Sequence, residues 1–410
     1  MRKPFTPLGA AGAVLVALML LLGCGGGGAA KPPGPSKPAV GPVPESVPVP
    51  VPVPVPRVPS GRELPGSAHM VGFAADGSGF ALLAKCVQDT EQPENGFCRQ
   101  YVGVRDKGAR SWRLREAPLT DPSGTDGVSA DLRVLGSGRA WVHESVGDHR
   151  FRTWFTADGG RSWQARGVRP EGVVRSIAKG AALSTLCGYP TVPDGEACAK
   201  DQLLVMSPDD GRLRVLGQRP PLAGLLSPAA YAEPDGSWWV SGKHPVTGGP
   251  AVAVSRDAGR TWQASVLDSP AKKPGWDVRV SVGDGVVYAA ETGELPAGEA
   301  VKNPLRAVHR SRDGGRTWER TWTTGAVREP RSLTGVLVPG AGDTLLLGAE
   351  RGHYTSVDGG RTFDVTPSGP ATGHTSTIPL GRLVSGAPCT YRISADGVRW
   401  STFTLGTCDD

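Results

Sequence analysis

The chain lacks several features by which metal-dependent or nucleic-acid-binding proteins are recognised. No Cys-x-x-Cys spacing occurs among its 7 cysteines, and its 7 histidines are scattered, so we expect no metal site and no cofactor. The net charge of +6 includes Arg2 and Lys3, and both signs are interspersed along the chain. That pattern is not typical of nucleic-acid binding, and we expect no nucleic-acid partner.

The N-terminal apolar run is too short to span a membrane comfortably, since a spanning helix needs about 20 apolar residues. The run follows Arg2 and Lys3, extends from about Leu8, and ends in Leu21-Leu22-Gly23-Cys24. This ending resembles the lipobox of bacterial lipoproteins. The resemblance implies that residues 1–23 are a signal peptide and that Cys24 is acylated, so that membrane lipid is one partner. An ordinary secretory signal with a coincidental cysteine is the alternative.

The residue after the lipobox cysteine bears on which membrane of the envelope holds the protein. Gly25 stands where an aspartate would favour the inner membrane, by analogy with enterobacterial sorting. The expected localisation is therefore export and lipid anchoring to the bacterial envelope, at the outer membrane.

Residues 24–64 are expected to form a tether rather than a folded domain. They are rich in Gly, Ala, Pro, Lys and Val, with a strict Val-Pro alternation from Val47 to Pro56. Proline fixes φ and removes hydrogen-bond donors, so the stretch should be extended polyproline II and could reach roughly 100 Å. A ligand for a proline-recognition module is the other interpretation.

Helix-forming periodicity is nearly absent after residue 62, and what replaces it indicates an all-β fold. Short runs of Val, Leu, Trp and Thr alternate with Gly, Asp and Pro, which is typical of strands joined by tight turns. Residues 65–410 exceed the usual size of a single core, and a repeat array explains how one domain can be that long.

The repeat is a short motif built around aspartate and glycine. Four copies are well formed and begin at Thr156, Ser255, Ser311 and Ser356, as in Ser311-Arg-Asp313-Gly-Gly-Arg316-Thr-Trp318. Three weaker copies lie around Asp106, Asp209 and Asp396. The aspartates and aromatic residues at matching positions are Asp106, Asp158, Asp209, Asp257, Asp313, Asp358 and Asp396, with Trp112, Trp163, Trp262, Trp318, Phe363 and Trp400.

These copies resemble the Asp-box of the BNR repeat family. The aspartates recur at intervals of 38 to 56 residues, which fits one four-stranded propeller blade per interval. The sequence therefore predicts a β-propeller of about seven blades over residues 65–410, with six or eight left open.

The composition of each box has a structural explanation. The aspartate can accept hydrogen bonds from turn amides, glycine supplies positive φ, and the tryptophan can pack between blades. All seven boxes also carry an arginine, from Arg110 to Arg399, which predicts a basic rim on one face. We expect this rim to be solvated, with contact to an anionic surface as the alternative.

The two faces of the predicted ring should differ. Each box joins the third strand of a blade to the fourth, and the turns between first and second strands lie at the same end. The opposite face is built from longer and more varied loops, at residues 87–97, 188–197, 244–250 and 293–304. Variable loops on a rigid scaffold are the usual place for binding, so this loop face is the candidate functional surface.

Six cysteines remain once Cys24 is assigned to lipid, and they fall into three local pairs. Fifteen pairings are possible in principle. Local pairing is favoured because the first two pairs flank loops between neighbouring strands, and disulfides agree with export. The expected pairs are Cys86 with Cys98, Cys187 with Cys198, and Cys389 with Cys408.

The BNR resemblance, over about residues 65–408, implies several functions, since such propellers occur in sialidases, xyloglucanase-type glycosidases, sortilin-type receptors and photosystem II assembly factors. The Phe/Tyr-Arg-Ile-Pro motif of bacterial sialidases is missing before Asp106, and Tyr288 and Glu291 should point to opposite faces of one strand.

A glycosidase with two carboxylates is the remaining catalytic possibility. Its candidate residues are Glu144, Glu291 and Glu350. The favoured prediction is a non-catalytic propeller lipoprotein that binds an envelope protein or glycan through the loop face, with a sialidase-like or other glycoside hydrolase as the alternative.

Overall fold

The computed structural model describes residues 54–124, 127–146, 150–188, 201–269, 275, 277–295, 300–325, 327–366, 373–386 and 389–408. Several predictions lie outside these residues: the signal peptide, the acylated Cys24, most of the tether and Cys198. Among the described residues no helix is long and apolar enough to cross a membrane.

Seven four-stranded sheets form the blades of a β-propeller, which confirms the predicted fold class and the count of seven. The first blade comprises β1 (Ser67–Phe73), β2 (Gly79–Val87), β3 (Phe97–Arg105) and β4 (Arg113–Glu116). The second comprises β5 (Ala130–Gly136), β6 (Arg139–Val146), β7 (Arg150–Thr156) and β8 (Gln164–Arg166). The third comprises β9 (Val173–Val174), β10 (Ala182–Thr185), β11 (Leu203–Met206) and β12 (Leu213–Leu216).

The next two comprise β13 (Ala223–Pro228), β14 (Trp238–Lys243), β15 (Pro250–Ser255), β16 (Gln263–Val266); and β17 (Asp277–Gly283), β18 (Val286–Thr292), β19 (Leu305–Ser311), β20 (Glu319–Thr323). The last two comprise β21 (Val338–Pro339), β22 (Leu345–Ala349), β23 (Gly352–Ser356), β24 (Asp364–Val365); and β25 (His374–Ile378), β26 (Gly381–Ser385), β27 (Thr390–Ser394), β28 (Ser401–Thr404). Two short 3-10 turns, Pro93–Asn95 and Leu186–Gly188, lie between strands.

The core of the propeller is a ring of clusters between blades. One cluster joins Phe80 and Val102 of the first blade to Val142 of the second, and another joins Trp322 of the fifth blade to Leu347 of the sixth. The middle strands are buried on both sides, and β18 and β19 are buried along their whole length. Apolar runs in these strands therefore read as continuous rather than alternating.

The Asp-box of the fifth blade shows how the motif closes its turn. The Ser311 hydroxyl donates to Asp313 at 2.8 Å and accepts the Gly315 N–H at 2.8 Å, while the Thr317 N–H and hydroxyl both donate to Asp313. Gly315 has φ near +88°, and a Cβ there would lie 2.3 Å from the Trp239 ring. Glycine is thus required both by the turn and by the close approach of the preceding blade.

The box aromatics pack against the preceding blade. Trp318 lies edge-on to Trp239 with ring centroids 6.2 Å apart, and its indole N–H donates to Ser265 at 2.8 Å. Phe363 lies edge-on to Trp322 in the same way, with centroids 5.0 Å apart. These two boxes therefore close their own hairpins and also join neighbouring blades.

The third blade departs from the regular meander. Its first strand in chain order, β9, lies at the outer edge and pairs in parallel with β12, so the sheet order is β10-β11-β12-β9. The inner edge of β10 faces the fourth blade instead, where the Leu183 N–H donates to the Ala230 carbonyl at 2.9 Å. This blade is therefore not a simple antiparallel meander, and backbone of the neighbouring blade supplies a hydrogen-bond partner at its inner edge.

A strap at residues 54–66 helps to close the ring between the first and seventh blades. It runs parallel to β28, from the Pro56 carbonyl, which accepts the Ser401 hydroxyl, to Gly61, which bridges Leu405. The Trp112 indole of the first blade donates to the Pro59 carbonyl at 2.9 Å. Because β28 begins directly after the last Asp-box, the strap joins the propeller on the Asp-box face.

Candidate functional site: the central channel

The two faces have the predicted difference in their turns. Turns between first and second strands contact the boxes of their own blades: the Gly159 N–H donates to the Gly138 carbonyl, and the Gly359 N–H donates to the Asp343 carbonyl, both at 2.9 Å. In the blades other than the third, first strands therefore run from the loop face to the Asp-box face. Residues early in these strands lie toward the loop face of the channel, and residues late in them lie toward the Asp-box face.

A polar cavity of about 340 Å³ occupies the loop-face half of the channel. We call it the loop-side cavity; its ionisable lining residues are Arg133, Glu233, Asp277, Arg279 and His374. Asp277 accepts from the Arg279 side chain at 3.3 Å, and Arg279 also donates to the Gly335 carbonyl at 2.7 Å. Serine and threonine hydroxyls complete the wall, so the cavity offers closely spaced donors and acceptors.

The surroundings of His374 and of the two arginines determine which charges the loop-side cavity presents. Partial burial, followed by the positive charge of Arg279, holds the pKa of His374 below its ordinary value. The ring is therefore neutral at pH 7 and can donate through one nitrogen and accept through the other. Arg133 is paired with Asp131 at 2.9 Å, so both half-exposed arginines of the cavity have a carboxylate beside them.

A larger and mostly apolar pocket of about 730 Å³ lies at the Asp-box end of the channel. We call it the box-side pocket; its walls include Leu135, Tyr231, Trp238, Ile378 and Leu380. Five blades contribute to it. The Tyr231 hydroxyl accepts the Val134 N–H at 2.9 Å, and burial raises the pKa of Tyr231 to about 12, so this phenol stays neutral.

A buried ion pair stands between the two cavities. Arg382 donates to Glu233 at 2.5 Å, and the two side chains are only 4% and 1% exposed. Glu233 also accepts the Val282 N–H at 3.0 Å, and Arg382 donates to the Thr377 hydroxyl. This cluster joins the fourth, fifth and seventh blades, and Glu233 lines both cavities.

The glutamates suggested as catalytic by the sequence lie elsewhere. Glu144 is 2% exposed and accepts the Thr120 N–H at 2.9 Å and the Trp154 indole N–H at 3.3 Å. Glu350 is exposed and lies 3.5 Å from the Asn303 amide. Neither residue lines the loop-side cavity or the box-side pocket.

Glu291 is fully buried between the fourth and fifth blades. It accepts the Ser269 hydroxyl at 2.9 Å, pairs with Arg306 at 3.2 Å and lies 3.6 Å from His309. Burial raises the pKa of Glu291, but hydrogen bonds from His309 and Ser269 and the charge of Arg306 outweigh it and hold the pKa below its ordinary value. Tyr288 packs on the other side of the strand, against the sixth blade.

Comparisons with known proteins do not identify a family for this chain. No protein-family model matches the sequence, and no curated protein matches it. Among solved structures, the chain is similar to a GH74 xyloglucanase from Xanthomonas campestris, with 14% identity, a TM-score of 0.29 and coverage of 84% of this chain. It spans 64% of the xyloglucanase, less than two thirds of that chain.

Two further structures are similar at the same low level. The NanB sialidase from Streptococcus pneumoniae has 11% identity, a TM-score of 0.35 and coverage of 82% of this chain and 68% of that one. YjhT has 9% identity, a TM-score of 0.37 and coverage of 83% and 98%. We take nothing about activity from these likenesses, because one fold hosts many functions.

The basic rim predicted on the Asp-box face is present and exposed, from Arg110 to Arg399. Several of its arginines support their own boxes: Arg161, Arg260 and Arg361 each donate to the carbonyl of the box aspartate at 2.9 to 3.0 Å. These side chains therefore contribute to the turn as well as to the surface charge. Within the described residues there is no group of three or more potential metal ligands.

The loop of the first blade is held rigidly on the loop face. A disulfide joins Cys86 to Cys98, as predicted, across a directly paired position of β2 and β3. Val87 and Phe97 pair just beyond it and are 51% and 49% exposed. The Gly124 N–H donates to the Gly96 carbonyl at 2.7 Å, which fixes the loop from the other side.

The other two predicted disulfides have different standings. Cys389 is bonded to Cys408, which attaches the C-terminal segment to the last blade. Cys187 is disulfide-bonded. Cys198 lies outside the described residues, so its pairing with Cys187 stays a prediction.

Proposed function

We propose that the protein is a non-catalytic binding propeller, lipid-anchored to the bacterial envelope, which captures a protein or glycan partner through its loop face. The loop-side cavity carries this proposal. Its paired Asp277 and Arg279, neutral His374 and surrounding hydroxyls offer the mixed donors and acceptors that sugar hydroxyls or a polar protein side chain require.

Two further observations support the choice of face. The stapled loop presents Val87 and Phe97, an exposed apolar pair on a rigid support, which suits a contact at the centre of an interface. The strap joins the ring on the Asp-box face, so the loop face lies opposite the point where the chain enters the propeller.

Hydrolysis is the rival function and is less well supported by the geometry. A glycosidase places two carboxyl groups about 5 to 9.5 Å apart around the scissile bond, and one of them must keep its proton. The carboxylates that line the loop-side cavity, Glu233 and Asp277, are each paired with an arginine. The suggested catalytic glutamates line neither cavity in the part of the chain that the structure describes.

The binding proposal is tested with the full chain on a glycan array and, in parallel, by crosslinking to envelope fractions followed by binding of the purified partner. We expect Arg279→Met or Phe97→Ser to weaken binding roughly tenfold, which corresponds to about 1.4 kcal/mol. The matched control is Arg316→Met, an exposed arginine on the Asp-box face that should leave binding unchanged. Loss of partner binding in Arg316→Met, with binding retained in both loop-face variants, would place the site on the Asp-box face and overturn the proposal.

The non-catalytic part is tested with fluorogenic glycosides. Turnover that is abolished by Asp277→Asn would establish a hydrolase and overturn the proposal.

Anchoring is tested separately: the intact protein should partition with membranes and incorporate labelled fatty acid, and Cys24→Ala should do neither. Unchanged labelling of the Cys24→Ala variant would refute the lipobox assignment.

A further inference from the structure

The box-side pocket has no part in loop-face binding, yet it is the larger of the two cavities. Its volume of about 730 Å³ lies within the usual range for small-molecule sites, roughly 300 to 1,000 Å³. Leu135, Trp238 and Ile378 are buried in its walls, and Leu380 is partly buried. These walls suit an apolar body of limited size.

The charged groups at the base of the pocket are already paired. Glu233 is already bound by Arg382 and by the Val282 N–H, and both charged side chains are buried. Placing a second charge against a satisfied buried pair would cost desolvation with no new partner. A ligand with one polar end therefore enters with its apolar end inward.

The rim supplies positive charge on one side. Lys179 is exposed, and Arg139 from the neighbouring blade lines the same pocket. Arg139 lies 3.3 Å from Asp209, but the two side chains are 43% and 80% exposed, so this pair is weak and can be displaced.

The acidic group of the rim lies on the first blade and is occupied. Asp76 accepts the Ser78 N–H at 3.0 Å and the Ser78 hydroxyl at 2.6 Å. Its described hydrogen bonds come from Ser78 of its own turn, and neither Lys179 nor Arg139 is among these donors. The charge complementarity of the pocket favours an anionic head group at the side formed by the second and third blades.

We propose that the box-side pocket binds a single-chain amphiphile with an anionic head, its chain against Leu135, Ile378 and Leu380 and its head between Lys179 and Arg139. This inference is independent of the proposed function, because the residues that would hold the amphiphile line the box-side pocket and none of them lines the loop-side cavity. Either site can be present without the other.

The probe is decanoate, titrated calorimetrically into the full chain in lipid nanodiscs, with empty nanodiscs subtracted. We expect saturable binding of decanoate, binding of decanol that is roughly tenfold weaker, and no saturable binding of decyltrimethylammonium. Equal binding of decanoate and decanol would refute recognition of the head group. Absence of saturable decanoate binding would refute the site.

Variants test the two ends of the site separately. Ala232→Phe narrows the pocket and should abolish decanoate binding, whereas Lys179→Gln with Arg139→Gln should weaken decanoate about tenfold and leave decanol unchanged. Lys107→Gln, an exposed lysine outside the pocket, is the matched control. Melting temperature and near-ultraviolet circular dichroism identify any variant that fails to fold.

Arg279→Met distinguishes this site from the loop face. It should weaken partner binding and leave decanoate binding unchanged. Decanoate binding that survives both Ala232→Phe and the rim variants would refute the proposed location.

Discussion

At the scale of single residues, five of the box aspartates have a pKa held below the ordinary value by hydrogen bonds within their turns: Asp158, Asp257, Asp313, Asp358 and Asp396. A hydrogen bond from the Thr261 hydroxyl, joined by one from the Thr261 N–H, lowers the pKa of Asp257 to about 2. Burial acts in the opposite direction at Asp158, but hydrogen bonds from Ser162 and Thr156 outweigh it and bring the pKa to about 2. The ionised aspartate is thus an integral part of the turn in these five boxes.

A dependence of stability on pH follows from these lowered pKa values. An unfolded aspartate has a pKa near 4, so each of these five boxes contributes stability that is fully present above about pH 4 and is lost as the pH falls toward 2. His69 adds an earlier loss, because burial lowers its pKa to about 4 and the unfolded imidazole takes up a proton near pH 6.5. We expect the melting temperature to fall between pH 6.5 and 4 and more steeply below pH 4.

The contribution of one box is isolated by Asp257→Asn. This variant should melt at a lower temperature at pH 7 and lose less on acidification than the unaltered protein, as measured by circular dichroism. Asp364→Asn, at an exposed aspartate of β24, is the control and should change neither value. An acid transition of equal size in Asp257→Asn and the unaltered chain would contradict this role.

At the scale of elements, the pairing of β2 with β3 determines both a disulfide and a binding surface. Cys86 and Cys98 occupy opposed positions with their Cα atoms 3.9 Å apart, and the bond closes the loop that presents Val87 and Phe97. Rigidity of this loop lowers the entropy lost when a partner is bound.

Replacement of both cysteines, Cys86→Ala with Cys98→Ala, tests this element. The free energy of unfolding should fall by about 3 kcal/mol, because the closed loop no longer restrains the unfolded chain. Urea denaturation measures the change, and non-reducing peptide mapping should show the Cys86 and Cys98 peptides joined in the unaltered protein. An unchanged denaturation midpoint in the double variant, or disulfides between different blades in the peptide map, would contradict the stabilising role of the Cys86–Cys98 bond.

At the scale of the whole molecule, the Glu233–Arg382 pair connects three blades across the channel. Removing one partner of a buried pair leaves an uncompensated charge and typically costs about 3 to 5 kcal/mol. Glu233→Gln should therefore destabilise the ring strongly in urea denaturation.

The double variant Glu233→Met with Arg382→Met provides the matched comparison. Because both charges are removed together, most of the stability should return. A double variant as unstable as Glu233→Gln would indicate that geometry at this position, rather than charge, holds the blades together.

The sequence alone determined the repeating part of this protein. Turn chemistry is local: an aspartate, a glycine and a hydroxyl within eight residues specify the same hairpin wherever they occur, so the boxes and the seven blades could be predicted from spacing. The Cys86–Cys98 pair could be predicted for the same reason, since antiparallel neighbours are brought together by a short connection.

Only the tertiary structure decided what lies inside the ring. Glu233 and Arg382 are 149 residues apart, and neither belongs to a motif. The outer position of β9 depends on Ala230 of the next blade, and the two cavities exist only once five or more blades are assembled around the channel. Contacts between distant residues depend on ring closure, and local sequence carries no periodic signal of them.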